Sequence, residues 1–185
     1  MNLPNKLTLV RIAMIPVFVI LASFDNLVCQ ILALAVFGAA CYTDMLDGKI
    51  ARRDGLVTNF GKFADPIADK LLVTSAYVVL VGQGRMPAWV CIIFLAREFI
   101  ISGFRLVASG SGTVIAAAML GKIKTVTQMI SSLLIILLVP FGGMNALLGT
   151  FGVVLANVAM YVALVMTVWS GVDYIWKGRD FLKDM

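Results

Sequence analysis

Apolar runs of about 20 residues recur along the whole chain, and a helix of that length spans the ~30 Å hydrocarbon core of a bilayer. No other feature restricts the fold as strongly. In lipid every backbone N–H and C=O must find a partner inside the protein, so a chain made of such runs is expected to be all-α. Composition agrees. Hydrophobic residues make up 61% and charged residues 14% of the 185, against about 45–50% and about 25% in soluble domains. The expectation is one polytopic membrane domain over residues 1–185, a resident of the lipid bilayer without a separable soluble module. The first residues lack a small-x-small cleavage pattern, so the first span is expected to stay in the product.

Breaks in the apolar pattern divide the chain into six transmembrane helices. Residues 2–6 form a polar lead-in, and span one covers about 7–22 with Pro16 inside it. Spans two and three cover about 27–53 and 62–81, joined by a short polar turn. Span four runs over about 88–108, span five from Gly121 to Pro140, and span six over about 147–169. Of the 15 Lys and Arg, Arg85 alone falls at one set of span ends and Arg97 lies in mid-span; the rest gather at the opposite ends. The positive-inside rule then puts both termini on the cytoplasmic side of a cell (inner, cytoplasmic) membrane. Trp89 at the outer turn, and Trp169, Tyr174 and Trp176 on the inner side, fit interfacial aromatic belts. The net charge of +5 reads as this cytoplasmic bias, and no nucleic-acid partner is expected. With no histidine in the chain, histidine acid–base chemistry is excluded and a zinc site of the usual type is not expected. Cys29, Cys41 and Cys91 are scattered through apolar segments without metal-binding spacing.

The acidic residues are far less evenly spread. The chain has ten, and Asp44, Asp47, Asp54, Asp65 and Asp69 all fall around the turn between spans two and three. On a helix Asp44 and Asp47 are three apart, and Gly48 and Ala51 extend their face. Gly61, Asp65 and Asp69 are each four apart and line one face of the next helix. Two helices joined by a short basic turn bring four carboxylates together, and four like charges stay ionised at close range only beside cations. Hard divalent ions with oxygen ligands, Mg²⁺ or Mn²⁺, are the natural partners. Solvated acids at a helix end, or an acid favouring a helix N-terminus, would account for Asp65. They would not account for Asp44 and Asp47, which precede further helical residues, and ionisable groups inside spans are costly and by default functional.

Written out, the window is Asp44-x-x-Asp47-Gly48-x-x-Ala51-Arg52, eight residues, then Gly61-x-x-x-Asp65-x-x-x-Asp69. It resembles the signature of the CDP-alcohol phosphatidyltransferases at every defined position, and the six-span plan resembles that family over essentially the whole chain. The resemblance implies that Asp44, Asp47, Asp65 and Asp69 hold two divalent cations, Mg²⁺ or Mn²⁺, with Asp69 also acting as the catalytic base. It implies that Asp44, Gly48, Ala51, Arg52 and Gly61 border the CDP group of CDP-diacylglycerol, and that the protein works as a homodimer. The chemistry of these residue types is consistent with those roles. Two glycines let a nucleotide approach the backbone, Arg52 can pair with a phosphate oxygen, and a carboxylate can take the proton of an attacking hydroxyl.

A second group is basic. Arg97 sits about ten residues into span four, ~15 Å along the helix and near the midplane. It either forms a structural ion pair with Glu98 or faces a cavity or anion. Glu98 and Arg105 share a helix face. Lys122 and Lys124 open span five, as ordinary cytoplasmic loop charge or as donors to an anion at the helix N-terminus. The segments over 2–8, 96–105 and 121–125 are similar to those of the family's bacterial phosphatidylglycerophosphate synthases, although the first outer loop is shorter. That branch takes sn-glycerol 3-phosphate, so the resemblance implies that Arg97, Arg105, Lys122 and Lys124 bind the acceptor phosphate. A sister enzyme using inositol phosphate or serine would share the aspartates and differ in this pocket. A membrane prenyltransferase should carry two distant aspartate-rich motifs in a longer chain. An ion transporter should carry acidic groups at mid-bilayer on several spans, whereas here they cluster at the ends of two adjacent spans.

Overall fold

The computed structural model describes residues 3–24, 26–53, 58–110, 119–139 and 148–179, and among them the only regular elements are six α-helices. These are α1 (Leu3–Ala22), α2 (Leu27–Arg53), α3 (Asn59–Gly82), α4 (Ala88–Gly110), α5 (Met119–Leu138) and α6 (Gly149–Lys177). Every helix has at least 20 residues, hence about 30 Å or more at 1.5 Å per residue. Three of them, α1, α5 and α6, are long and apolar enough to cross a membrane. Among the described residues, shorter apolar stretches lie in α2 and α3, Leu27–Thr43 and Lys70–Gly82.

Alongside an apolar core, many polar residues are inside and many large apolar residues outside. Asn5, Thr8, Arg11, Gln30, Arg85, Lys124, Gln128 and Thr167 are buried, while Val28, Val78, Ile92, Phe151 and Val165 each show more than half their surface. Water would reject such a surface, and hydrocarbon accepts it.

The helices form two compact units. In the first, α1 packs on both α2 and α3. The buried positions of α1 are Asn5, Thr8, Arg11, Ile15, Phe18 and Ala22, steps of three and four that keep one face inward. The stripe changes character along its length, polar for its first three members and apolar for its last three. On α2 the buried positions Gln30, Ala33, Phe37 and Ala40 keep the same spacing, with Phe18 and Phe37 in ring contact at 5.4 Å. Pro4 falls in the first turn of α1, where the backbone N–H has no helical partner to lose. That allows the helix to begin at Leu3 and to absorb the polar lead-in expected from the sequence.

The apolar end of this unit is closed by a polar knot. Gln30 Nε2 donates to the carbonyls of Ala22 at 2.8 Å and Phe24 at 2.9 Å, and Gln83 Nε2 donates to the same Ala22 carbonyl at 2.5 Å. Arg85 Nη1 donates to Gln30 Oε1 at 2.9 Å and to Gln83 Oε1 at 3.1 Å. Gly84, at φ +70°, makes the turn that brings Arg85 back. Arg85, the exception to the charge asymmetry, therefore serves the carbonyls that α1 leaves open and is 4% exposed.

In the second unit α6 packs against α5 and α4. Its buried face is a row of small residues, Gly152, Ala156, Ala163, Thr167, Ser170 and Gly171 among them, which lets helix backbones approach closely. Gln128 Nε2 donates to Thr167 Oγ1 at 3.0 Å across α5 and α6. Helix α6 continues past residue 169, where the sequence pattern ended the span, to Lys177. Trp89, Trp169 and Trp176 are exposed as belt residues should be, but Tyr174 is buried and serves a different purpose.

Candidate active site

The first unit carries the aspartate motif. Asp44, Asp47, Gly48, Ala51 and Arg52 belong to the C-terminal part of α2 and Asp69 to α3; their side chains lie outside the described residues. Asp65 and Gly61 are described, and they show how the site is built. Thr58 is the N-cap of α3, with φ −110° and ψ 158°, and its hydroxyl accepts the Gly61 N–H at 3.0 Å. The same hydroxyl donates to Asn5 Oδ1 of α1 at 2.9 Å. One turn further along α1, Thr8 Oγ1 donates to Asp65 Oδ1 at 2.5 Å. The polar half of the α1 stripe is thus joined to the start of α3 by two side-chain hydrogen bonds.

Gly61 sits among oxygens. A Cβ there would lie 3.2 Å from Asn5 Oδ1, 3.3 Å from Thr58 Oγ1 and 3.5 Å from Asp65 Oδ2. Any side chain would press on this group, which is a reason for glycine independent of backbone conformation. Asp65 Oδ2 accepts no hydrogen bond from the described residues. Carboxylate, amide and hydroxyl oxygens are the donor set that hard divalent cations prefer.

Asn5 and Thr8 are the residues that a reading by spacing alone misses. They lie 53 and 57 positions from their partners, and no periodicity in one segment reveals a contact at that range. Their one signal is the polar cluster in residues 2–8.

The basic residues belong to the second unit, and the structure sorts them. Lys124, only 2% exposed, is paired with Glu98. Arg97 Nη1 lies 3.5 Å from Glu98 Oε1, and Arg97 Nη2 donates to Ser170 Oγ at 3.2 Å. Glu98 thus stands between two cations, and Arg97 is ion-paired to it, the first of the two alternatives drawn from the sequence. Gly171 makes room for it, since a Cβ there would come within 3.3 Å of Arg97 Cγ. Arg105 makes contacts of its own. Its Nε donates to Tyr174 Oη at 3.1 Å and its guanidinium lies 5.5 Å from the Tyr174 ring centre, while Phe104 meets that ring edge-on at 5.9 Å. Lys122 is exposed at the start of α5. Arg97 and Lys124 are brought together, and Arg105 and Lys122 are not shown in contact with them.

An apolar helical fold with an acidic motif on adjacent helix ends and a buried basic cluster defines a class of membrane transferase. The chain belongs to the CDP-alcohol phosphatidyltransferase family, whose model matches residues 1–169. It is 46% identical, over 195 aligned positions covering 98% of this chain and 97% of the relative, to the CDP-diacylglycerol–glycerol-3-phosphate 3-phosphatidyltransferase of Bacillus subtilis (strain 168). It is 40% identical to a probable phosphatidylglycerophosphate synthase of Mycobacterium tuberculosis (strain ATCC 25618 / H37Rv), over 94% of this chain and 80% of the relative. A relative from Rickettsia typhi (strain ATCC VR-144 / Wilmington), again a CDP-diacylglycerol–glycerol-3-phosphate 3-phosphatidyltransferase, is 36% identical over 94% of both chains.

Proposed function

We propose that this protein transfers the phosphatidyl group of CDP-diacylglycerol to sn-glycerol 3-phosphate, giving phosphatidylglycerophosphate and CMP. The observation that carries the reading is the complete aspartate signature on the consecutive ends of α2 and α3, in a chain whose relatives with this activity match it nearly end to end.

The proposed roles follow from residue chemistry. Asp44, Asp47, Asp65 and Asp69 hold two divalent cations, Mg²⁺ or Mn²⁺. The three-four spacing of the buried positions of α2 reaches 44, 47 and 51 when continued from Ala40, which supports Asp44 and Asp47 sharing a face with the inward stripe. When bound, the cations supply neutralising charge for the pyrophosphate and for the oxygen on which CMP leaves. Arg52 pairs with a phosphate oxygen, and Asp44, Gly48, Ala51 and Gly61 border the CDP moiety. The enclosure of Gly61 by oxygens supports a place there for a ligand that has to pass close to backbone.

Arg97, Arg105, Lys122 and Lys124 receive the phosphate of glycerol 3-phosphate. The burial of Lys124 and the meeting of Lys124 and Arg97 at Glu98 support a place for an anion at this cluster. A carboxylate oxygen of Asp69 takes the proton of the acceptor's primary hydroxyl. The acceptor's hydroxyl oxygen then bonds to the phosphatidyl phosphorus as the bridging P–O bond to CMP breaks, and CMP leaves with the electron pair of that bond.

The finer reading of the architecture is one catalytic domain over residues 1–185, with six spans, both termini and the aspartates on the cytoplasmic side of the cell membrane, and a homodimer as the working form. An acceptor panel tests the function. Purified protein is given CDP-diacylglycerol with glycerol 3-phosphate, inositol phosphate, serine or glycerol, and the lipid products are identified. Glycerol 3-phosphate should be preferred by at least a hundredfold in kcat/KM. A better rate with serine or inositol phosphate keeps the enzyme class and removes the proposed acceptor.

A further inference from the structure

The geometry points to Thr8 as the positioning residue of Asp65, one that makes this carboxylate a single-oxygen ligand and so tunes the site toward small divalent cations. The inference rests on the proposed metal-dependent transfer and adds to it a residue outside the aspartate signature.

Thr8 is fully buried on the inward stripe of α1. Its hydroxyl donates to Asp65 Oδ1 at 2.5 Å, the short distance expected of an O–H donor facing an ionised carboxylate. A hydroxyl in that position does two things. It fixes the side-chain rotamer of Asp65, as partners of ligating carboxylates generally do. It also takes up one lone pair of Oδ1. The other oxygen, Oδ2, accepts no hydrogen bond from the described residues and lies on the Gly61 side, beside Asn5 Oδ1 and Thr58 Oγ1. Oδ2, with both lone pairs open to a ligand, is therefore the oxygen this contact favours for a cation.

The number of oxygens matters for selectivity. Mg²⁺ requires near-octahedral geometry at about 2.0–2.1 Å, and a carboxylate clasping it with both oxygens spoils that angle. Ca²⁺ takes 6–8 ligands at about 2.3–2.6 Å and accepts bidentate carboxylates readily. Removing the Thr8 hydroxyl frees Oδ1, loosens the rotamer and allows Asp65 to clasp. Binding of a small cation should weaken, and discrimination against Ca²⁺ should fall further than affinity alone accounts for.

The experiment is a Mn²⁺ binding titration by electron paramagnetic resonance on the purified full-length protein in detergent, with Ca²⁺ as competitor and a melting temperature recorded for each variant. Thr8→Val removes the hydroxyl and keeps the shape, Thr8→Ser keeps the hydroxyl, and Asp65→Asn removes the ligand. Thr8→Val should bind Mn²⁺ about 10–100-fold more weakly, the range seen on losing such outer partners, and its preference for Mn²⁺ over Ca²⁺ should shrink. Thr8→Ser should stay within about threefold of wild type, inside the scatter of such context-dependent effects. If Thr8→Val does not fold, Thr8→Ala takes its place. Wild-type Mn²⁺ affinity and Ca²⁺ competition in the hydroxyl-free variant, with binding lost in Asp65→Asn, would overturn the role of Thr8 and leave the proposed function standing. Undiminished Mn²⁺ binding in Asp65→Asn would remove the metal site itself, and the inference with it.

Discussion

Single carboxylates and single cations should produce different kinetic faults. Asp65→Asn keeps the size of the side chain and the contact with Thr8, but removes one of the four carboxylate charges proposed to hold the cations. It should lower kcat/KM by about 10²–10³-fold, the scale of losing one preorganised electrostatic contact to a transition state, as read by CMP release. The basic cluster should affect the acceptor instead. Arg105→Ala should raise KM for glycerol 3-phosphate about ten- to a hundredfold, corresponding to about 1.5–3 kcal/mol for one charge-assisted hydrogen bond, while KM for CDP-diacylglycerol stays within about twofold. Tyr174→Phe deletes the hydroxyl that accepts from Arg105 Nε and keeps the ring beneath its guanidinium. It should show a milder form of the same fault, about threefold to tenfold, because a neutral hydrogen bond contributes about 0.5–1.5 kcal/mol. Steady-state kinetics on both substrates separate these outcomes. At this scale the sequence was informative where chemistry is local. Eight fixed residues in one window announced the aspartate site. Tyr174 was expected in an interfacial belt and is instead buried against Arg105 and Phe104, and Glu98, one of two alternative partners for Arg97, pairs with it and also holds Lys124 from another helix. Both depend on which helices become neighbours, which residue type and spacing do not encode.

At the scale of the helix, the polar ends of α1 have separate duties. Its N-terminal end reaches Thr58 and Asp65 through Asn5 and Thr8, and its C-terminal end is held by Gln30, Gln83 and Arg85. Thr8 and Ala22 are about 21 Å apart along the helix at 1.5 Å per residue, so the two ends can be tested independently. Gln30→Leu would remove the side-chain donor to the Phe24 carbonyl, while Ala22 keeps Gln83 as donor and Arg85 keeps Gln83 as acceptor. At about 1–3 kcal/mol for one orphaned group, it should destabilise the protein by about that amount, measured by thermal unfolding in detergent. The KM values of the folded fraction should stay at wild type; a shift in either would mean the knot also shapes the site. Helix existence was legible from apolar runs, and the boundaries were less so. The helix α1 starts four residues earlier than the run of apolar residues because Pro4 is tolerated in a first turn. Gln30 and Arg85 passed as incidental polar residues in an apolar run and a loop, and only their contact 55 positions apart gives them a purpose.

For the whole molecule, three helices meet the length and composition of a membrane span without qualification. The proposed six-span arrangement adds α2, α3 and α4, which carry the residues proposed for the site. In a background with Cys29, Cys41 and Cys91 replaced by Ala, Ser23→Cys should react with a membrane-impermeant thiol reagent applied from outside, and Lys177→Cys should react only after permeabilisation. The reverse pattern would invert the topology and place the aspartates outside, away from a cytoplasmic acceptor. The function itself is tested most directly by one assay on purified wild type and Asp65→Asn: CMP released from CDP-diacylglycerol, with the lipid product identified by mass. Wild type should release CMP only when glycerol 3-phosphate and Mg²⁺ or Mn²⁺ are both present, yielding phosphatidylglycerophosphate in equal amount, and Asp65→Asn should release almost none. CMP release that persists with the divalent cation chelated, or full activity in Asp65→Asn, would contradict the account.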